Sequence, residues 1–208
     1  VKFIVISDTH NQHSSLKLPE GDGLIHAGDL TSRGTEREVI EFLEWFSSLD
    51  QYKYKIFIAG NHDFLFEHDP ELVKTLIPEN IIYLQDNSVV IEGIKIYGSP
   101  IQPRFHNWAF NKDRGQEIKD YWDLIEDDID ILITHGPPKG IGDRCQNGYR
   151  AGCDDLLEKV MKVKPKFHIF GHIHESYSQQ KVEGVVFINA SVLNLRYELT
   201  NAPIVINI

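Results

Sequence analysis

Short apolar runs at residues 3–6, 24–27, 56–59, 131–133 and 167–170 each lead into polar residues able to bind a metal. Those segments are Asp8-Thr9-His10, Gly28-Asp29, Gly60-Asn61-His62-Asp63, Thr134-His135-Gly136 and Gly171-His172-Ile173-His174. Runs this short, rich in Ile, Val and Phe, read as buried strands, and a sixth stands at 185–188. Helical patterns lie between several of them. Residues 35–49 place Val39, Ile40, Leu43 and Phe46 on one face, with Thr35 and Glu38 spaced as a capping box. Further helices are expected from Asp69, with Pro70 at the first position, and over 154–163, ended by Pro165. Residues 88–98 read as a hairpin turning at Glu92-Gly93. Strands alternating with helices make this an α/β chain.

Ligands of open α/β sheets bind beyond the carboxyl ends of the strands, so the five polar segments are expected to converge. Asp8, His10, Asp29, Asn61, His135, His172 and His174 would then supply oxygen and imidazole donors to one site. Without thiolate, that set suits manganese, iron or zinc and leaves positions open for water and substrate. Side chains alternate with a period of two along extended backbone. Asp8-x-His10 and His172-x-His174 are therefore each expected to address one centre. Singly these segments are weak signals, since Asp-x-His is common at surfaces and Gly-Asn-His-Asp makes a turn. Their joint placement at strand ends carries the reading.

Acidic residues outnumber Lys plus Arg by 31 to 21, and no basic run forms a stripe, which argues against long nucleic acids as partners. A small phosphate ester stays admissible, because bound divalent ions reverse the local sign of an acidic site. No apolar stretch is long enough for a membrane span, and the opening run, interrupted by Lys2, is expected to be neither signal peptide nor anchor. Cys145 and Cys153 are too few for a disulfide framework and suggest a reducing cytoplasm. At 208 residues, one domain over 1–208 is expected.

The ordered polar segments resemble those of the calcineurin-like metallophosphoesterase superfamily, over nearly the whole chain. Within it, Gly98-Ser99-Pro100, Trp108-Ala109-Phe110-Asn111, Arg114-Gly115-Gln116, His135-Gly136-Pro137-Pro138 and Ile188-Asn189-Ala190-Ser191 are similar to the metallophosphoesterase-domain-containing proteins. The resemblance implies a four-layer α/β/β/α sandwich with two mixed sheets between helices. It also implies two divalent ions, manganese foremost, with iron, zinc, nickel, cobalt or magnesium as alternatives. Asp8, His10 and His174 would hold one ion, Asn61, His135 and His172 the other, and Asp29 would bridge them. A metal-bridging hydroxide would attack phosphorus, and His62 would protonate the leaving oxygen. Some vertebrate relatives carry glycine at the position matching His172, whereas this chain keeps the full set. Many superfamily members have a second aspartate where this chain has Ser32, which removes the usual acidic partner of His62. Asp63 is expected to point away from that ring.

The implied activity is hydrolysis of small phosphodiesters, including 2′,3′- or 3′,5′-cyclic nucleotides. A phosphomonoesterase or protein phosphatase, and a nucleotide-binding scaffold without turnover, are the alternatives. The Gly- and Pro-rich loop 136–152 is the candidate for substrate recognition. Arg104, Arg114, Lys139 and Arg144 are candidate phosphate or base contacts. Phe105, Trp108 and Tyr149 offer either stacking surfaces or local packing. His26 and His168, set within apolar runs, are expected to be satisfied core histidines.

Overall fold

Strands apolar on both faces need cover on both, and the chain provides it by stacking two sheets between helices. In the computed structural model, which describes residues 1–208, the strands follow one another in chain order. They are Lys2–Ile6 (β1), Gly23–Ala27 (β2), Tyr54–Ile58 (β3), Ile82–Tyr83 (β4), Asn87–Ile91 (β5), Ile94–Ser99 (β6) and Gln102–Pro103 (β7). Asn111–Lys112 (β8), Ile131–Thr134 (β9), Phe167–Phe170 (β10), Ser178–Val182 (β11), Val185–Asn189 (β12) and Ile204–Asn207 (β13) complete them. The helices are Glu36–Ser47 (α1), Phe64–His68 (α2), Pro70–Leu76 (α3), Gln116–Trp122 (α4) and Asp154–Val163 (α5).

One sheet runs β13-β1-β2-β3-β4, the other β11-β12-β10-β9-β6-β5, and β7 pairs with β8 apart from both. Both large sheets are mixed: β13 is antiparallel to β1, while β11 and β5 are antiparallel edge strands on a parallel centre. Phe3, Val5, Ile25 and Ile56 of the first sheet share one apolar layer with Ile96, Ile131, Ile133 and Ile169 of the second. Alternate residues such as Ile4, Leu24, Phe57, Leu132 and Phe170 join the helices in the outer core. Gly98 permits the close approach of the sheets, because a Cβ there would lie 2.5 Å from Leu84 Cβ and 2.7 Å from Ile58 Cγ2.

The capping box of Thr35 and Glu38 opens α1, and Val39, Phe42, Leu43 and Phe46 are its buried face. Phe42, not the half-buried Ile40, belongs to that face, and its ring meets Phe46 and Phe57 at 5.2 and 5.6 Å. Asp69 caps α3 by accepting from Leu72 N, with Pro70 at the first position. Glu92 and Gly93 both have positive φ, the turn geometry that matches the twist of the hairpin strands. The edge strand β11, with exposed polar residues at its centre, escaped notice in the sequence because it lacks a continuous apolar run.

His26 and His168 are fully buried, and each ring is tied to a threonine beside a candidate ligand. Thr134 Oγ1 donates to Gly136 O, so it accepts from His168 Nε2 at 2.9 Å; Thr9 Oγ1 meets His26 Nε2 at 2.9 Å. Each Nδ1 is left without a partner, so these histidines are only half satisfied. Burial pushes both rings down to about 3. The unfolded chain binds more protons below about pH 6.5, so the contribution of His168 is full above that pH. It falls by about 1.4 kcal/mol per pH unit below it, and is lost once the pH passes about 3. In metal-free protein, His168→Gln is expected to lessen the stability loss between pH 6.5 and 5 by about 2 kcal/mol in urea unfolding. Identical pH slopes for variant and wild type would contradict this.

Candidate metal centre

The strands β1, β2, β3, β9 and β10 each deliver one polar segment to the same end of the sandwich. Asp8, His10 and His174 bring ligand atoms within 4.8 Å of one another, as do Asp29, His135 and His172, and as do His10, Asp29 and His62. Asp29 stands between the first two groups: its Oδ2 lies 3.5 Å from His10 Nε2 and 3.3 Å from His135 Nε2. Asn61 Oδ1 is 2.9 Å from His135 Nε2. The seven side chains singled out as ligands thus meet in space.

The hydrogen bonds behind these histidines show what they face. His10 Nδ1 contacts Thr31 O, His135 Nδ1 contacts Ala27 O, and His174 Nδ1 contacts Asn194 O. A carbonyl only accepts, so each Nδ1 carries a hydrogen and Nε2 is the nitrogen left for a metal or a second proton. Each Nε2 lies against carboxylate oxygens, which only accept: Asp29 for His10 and His135, Asp8 for His174. His10 Nε2 is buried without any hydrogen-bond partner. Acceptors facing acceptors repel unless a proton or a metal cation lies between them, and no Lys or Arg pairs with Asp8 or Asp29. The donor set therefore fits divalent ions.

Electrostatics report the same deficit of positive charge. Burial opposes ionisation of Asp8 and Asp29, yet His174 and His135 respectively hold both carboxyls below the usual range. Burial works against a charge on His135 too, but Asp29 beside it lifts the ring to about 9. Burial, reinforced by His135, pushes His172 down to about 4.

Backbone geometry differs from the extended one expected for the paired motifs. Asp8, His10, Asp29 and His172 have φ of 55°, 39°, 55° and 67°, a left-handed region costing about 1–3 kcal/mol per residue. Asp8 and His10 meet in one group through a turn held by Asp8 N to Gly28 O and His10 N to Asp29 O. His172 and His174 go to different groups, because the chain turns left-handed at His172 and enters a 3₁₀ turn at His174. Gly60 is required here, since a Cβ would lie 2.2 Å from Asp29 N.

His62 does without a carboxylate partner. Its Nδ1 donates to Ser32 O at 2.8 Å, so the backbone of the residue standing in the aspartate position orients the ring. The ring lies 4.6 Å from that of His10 and 4.1 Å from that of Trp108, which packs against it. Asp29 Oδ1 accepts from His62 N at 2.8 Å. Asp63 turns away from the ring and accepts from Gly60 N, Leu30 N, Thr31 N and Thr31 Oγ1 at 2.7–3.1 Å. Burial and the nearby Asp29 raise its carboxyl to about 6. Asp63 staples the two ligand-bearing turns together. Asp63→Ala strands these buried donors and is expected to cost about 3 kcal/mol in urea unfolding; a loss below ~1 kcal/mol would remove that role.

Two cavities meet at this centre. One of about 200 Å³ is lined by Asp29, Asn61, His62, Trp108, His174 and Tyr197, among others. The other, of about 240 Å³, includes Arg104, Arg114, Tyr149 and Gly136 of the 136–152 loop, and both contain Phe105 and His172. Lys139 and Arg144 line neither: Lys139 donates instead to Arg150 O, and Arg144 sits on an exposed strand-like bridge to Arg150. Arg114 spends its guanidinium on Gly152 O and Ala151 O, and Arg104 is paired with Asp113. Sequence reasoning missed Gln102, a buried cavity residue two positions from Arg104, because a lone glutamine carries no motif.

The family model described as calcineurin-like phosphoesterase matches residues 1–176. The whole chain is 43% identical to metallophosphoesterase domain-containing protein 1 of Homo sapiens, covering 71% of that protein. It is 40% identical, again over its full length, to UPF0046 protein T07D4.2 of Caenorhabditis elegans, covering 60% of it. A crystal structure of TT1561 of Thermus thermophilus shares the fold with a TM-score of 0.62 at 13% identity, covering 90% of this chain and 88% of that one.

Proposed function

The chain belongs to the calcineurin-like phosphoesterase family, and from that premise we propose that it is a two-metal phosphodiesterase acting on small diesters, cyclic nucleotides included. The observation that carries the reading is the set of histidine Nε2 atoms gathered 3.3–3.5 Å from the buried oxygens of Asp8 and Asp29, with no Lys or Arg among them. Asp8, His10 and His174 would hold one ion, Asn61, His135 and His172 the other, with Asp29 shared. Manganese suits this mix of carboxylate, amide and imidazole. When bound, such ions polarise phosphoryl oxygens and acidify water near neutral pH.

The protein's own residues do the rest. With its Nδ1 hydrogen committed to Ser32 O, His62 has Nε2 as the atom that passes a proton to the leaving oxygen. Trp108 against the ring and Asp29 on its amide limit where that proton can be delivered. Diester preference is supported by the absence of a spare cation in the cavities. A monoester dianion wants one more positive contact, while Arg104 and Arg114 are already engaged. Two cavities joined at the centre also suit a phosphorus carrying two ester groups. Both cysteines are free thiols, which supports a reducing, cytoplasmic setting. No helix is long and apolar enough to cross a membrane.

Metal-stripped protein resupplied with manganese is expected to hydrolyse bis(p-nitrophenyl) phosphate faster than p-nitrophenyl phosphate. Faster monoester turnover would reverse the substrate class, and binding of nucleotides without turnover under any metal would replace the enzyme by a scaffold.

A further inference from the structure

Beside the metal centre lies a cavity built unlike the centre itself. Four of the large apolar side chains that stay exposed, Phe105, Tyr149, Leu195 and Tyr197, line the two joined cavities. Phe105 and Tyr149 are 56% and 58% exposed and both face the 240 Å³ cavity that reaches the centre at His172. Exposed rings on a loose loop need no explanation, but the loop carrying Tyr149 is tightly held. The fully buried Asp143 accepts from Gly140 N, Gly152 N and Arg150 Nη1 at its base. Cys145 N donates to Tyr149 O at 2.8 Å, and Glu175 Oε1 accepts from Gln146 N at 2.7 Å. The backbone that carries Tyr149 is thus fixed at the cavity wall, with Lys139 Nζ 5.9 Å from the ring centroid.

Gln102, 2% exposed, borders the same cavity, and its Nε2 donates to Ala109 O at 3.3 Å. The volume is sufficient for a ring with substituents, since a cavity of roughly 150 Å³ already holds benzene.

Resting on the phosphoester reading above, we propose that this cavity receives one ester group of the substrate. That group is a flat aromatic or heteroaromatic ring, held by Phe105 and Tyr149. Asp29, Asn61, His62 and His174 line the other cavity, so this one takes an ester arm and not the phosphate itself. The two rings act on affinity for that arm and leave the phosphate contacts alone.

Binding without turnover tests the proposal. Calorimetry on manganese-loaded protein is expected to show phenylphosphonate binding roughly tenfold tighter than methylphosphonate. Phe105→Ala and Tyr149→Ala, both at exposed positions, should each weaken phenylphosphonate about fivefold and leave methylphosphonate unchanged. Equal affinities of the phenyl and methyl compounds, or equal losses of both in the ring variants, would overturn the subsite. If manganese binds but neither phosphonate does, the phosphoester reading fails, and the subsite with it.

Discussion

Asp29→Asn is expected to leave a folded chain that has lost its paired ions and, with them, on the order of 10³-fold in diester hydrolysis. The amide matches the carboxylate in shape and keeps an oxygen able to accept from His62 N, a contact of 2.8 Å in the wild type. What it removes is the charge between His10 and His135, the one group placed within 3.5 Å of both. With that oxygen kept on His62 N, the amide NH2 takes the place of Oδ2 toward His10 and His135, a donor where a ligand oxygen stood. Manganese affinity by calorimetry and diester turnover should fall together. Wild-type affinity in Asp29→Asn would mean that the carboxylate does not hold an ion.

His62→Gln should separate chemistry from metal binding. Removing a general acid costs roughly 10² to 10⁴ in rate, while the seven other ligand-type side chains remain in place. The loss should depend on the leaving group. A p-nitrophenolate departs with little help, whereas an alkoxide needs the proton that His62 supplies, so alkyl esters should lose far more turnover than nitrophenyl esters. Glutamine also retains bulk against Trp108, whose ring packs 4.1 Å from that of His62. A loss equal for all leaving groups would recast His62 as a binding residue.

How far the site was readable follows from where its information resides. Asp8, Asp29, Asn61, His135, His172 and His174 were legible because a side chain with ligand chemistry directly after an apolar strand has few structural excuses. The support behind them was not. Ser32 orients His62 through its carbonyl, and a backbone atom leaves no mark on residue identity. Asp63 was correctly placed away from the ring, but its four donors come from turns whose shape depends on both strands together. The split of His172 and His174 between two groups arises from a positive φ at a non-glycine residue, which period-two reasoning excludes by assumption. In the fold, long buried strands and the capped α1 were plain, whereas β11, polar and at a sheet edge, was not. Arginines near the site looked like phosphate ligands until the carbonyls of Ala151 and Gly152 were seen to occupy Arg114.

The central claim is that two groups of ligands share Asp29, and counting ions tests it most directly. Elemental analysis after dialysis of stripped protein against manganese should return about two ions per wild-type chain. A chain that retains about one ion, or none, with every candidate ligand intact would contradict the shared centre.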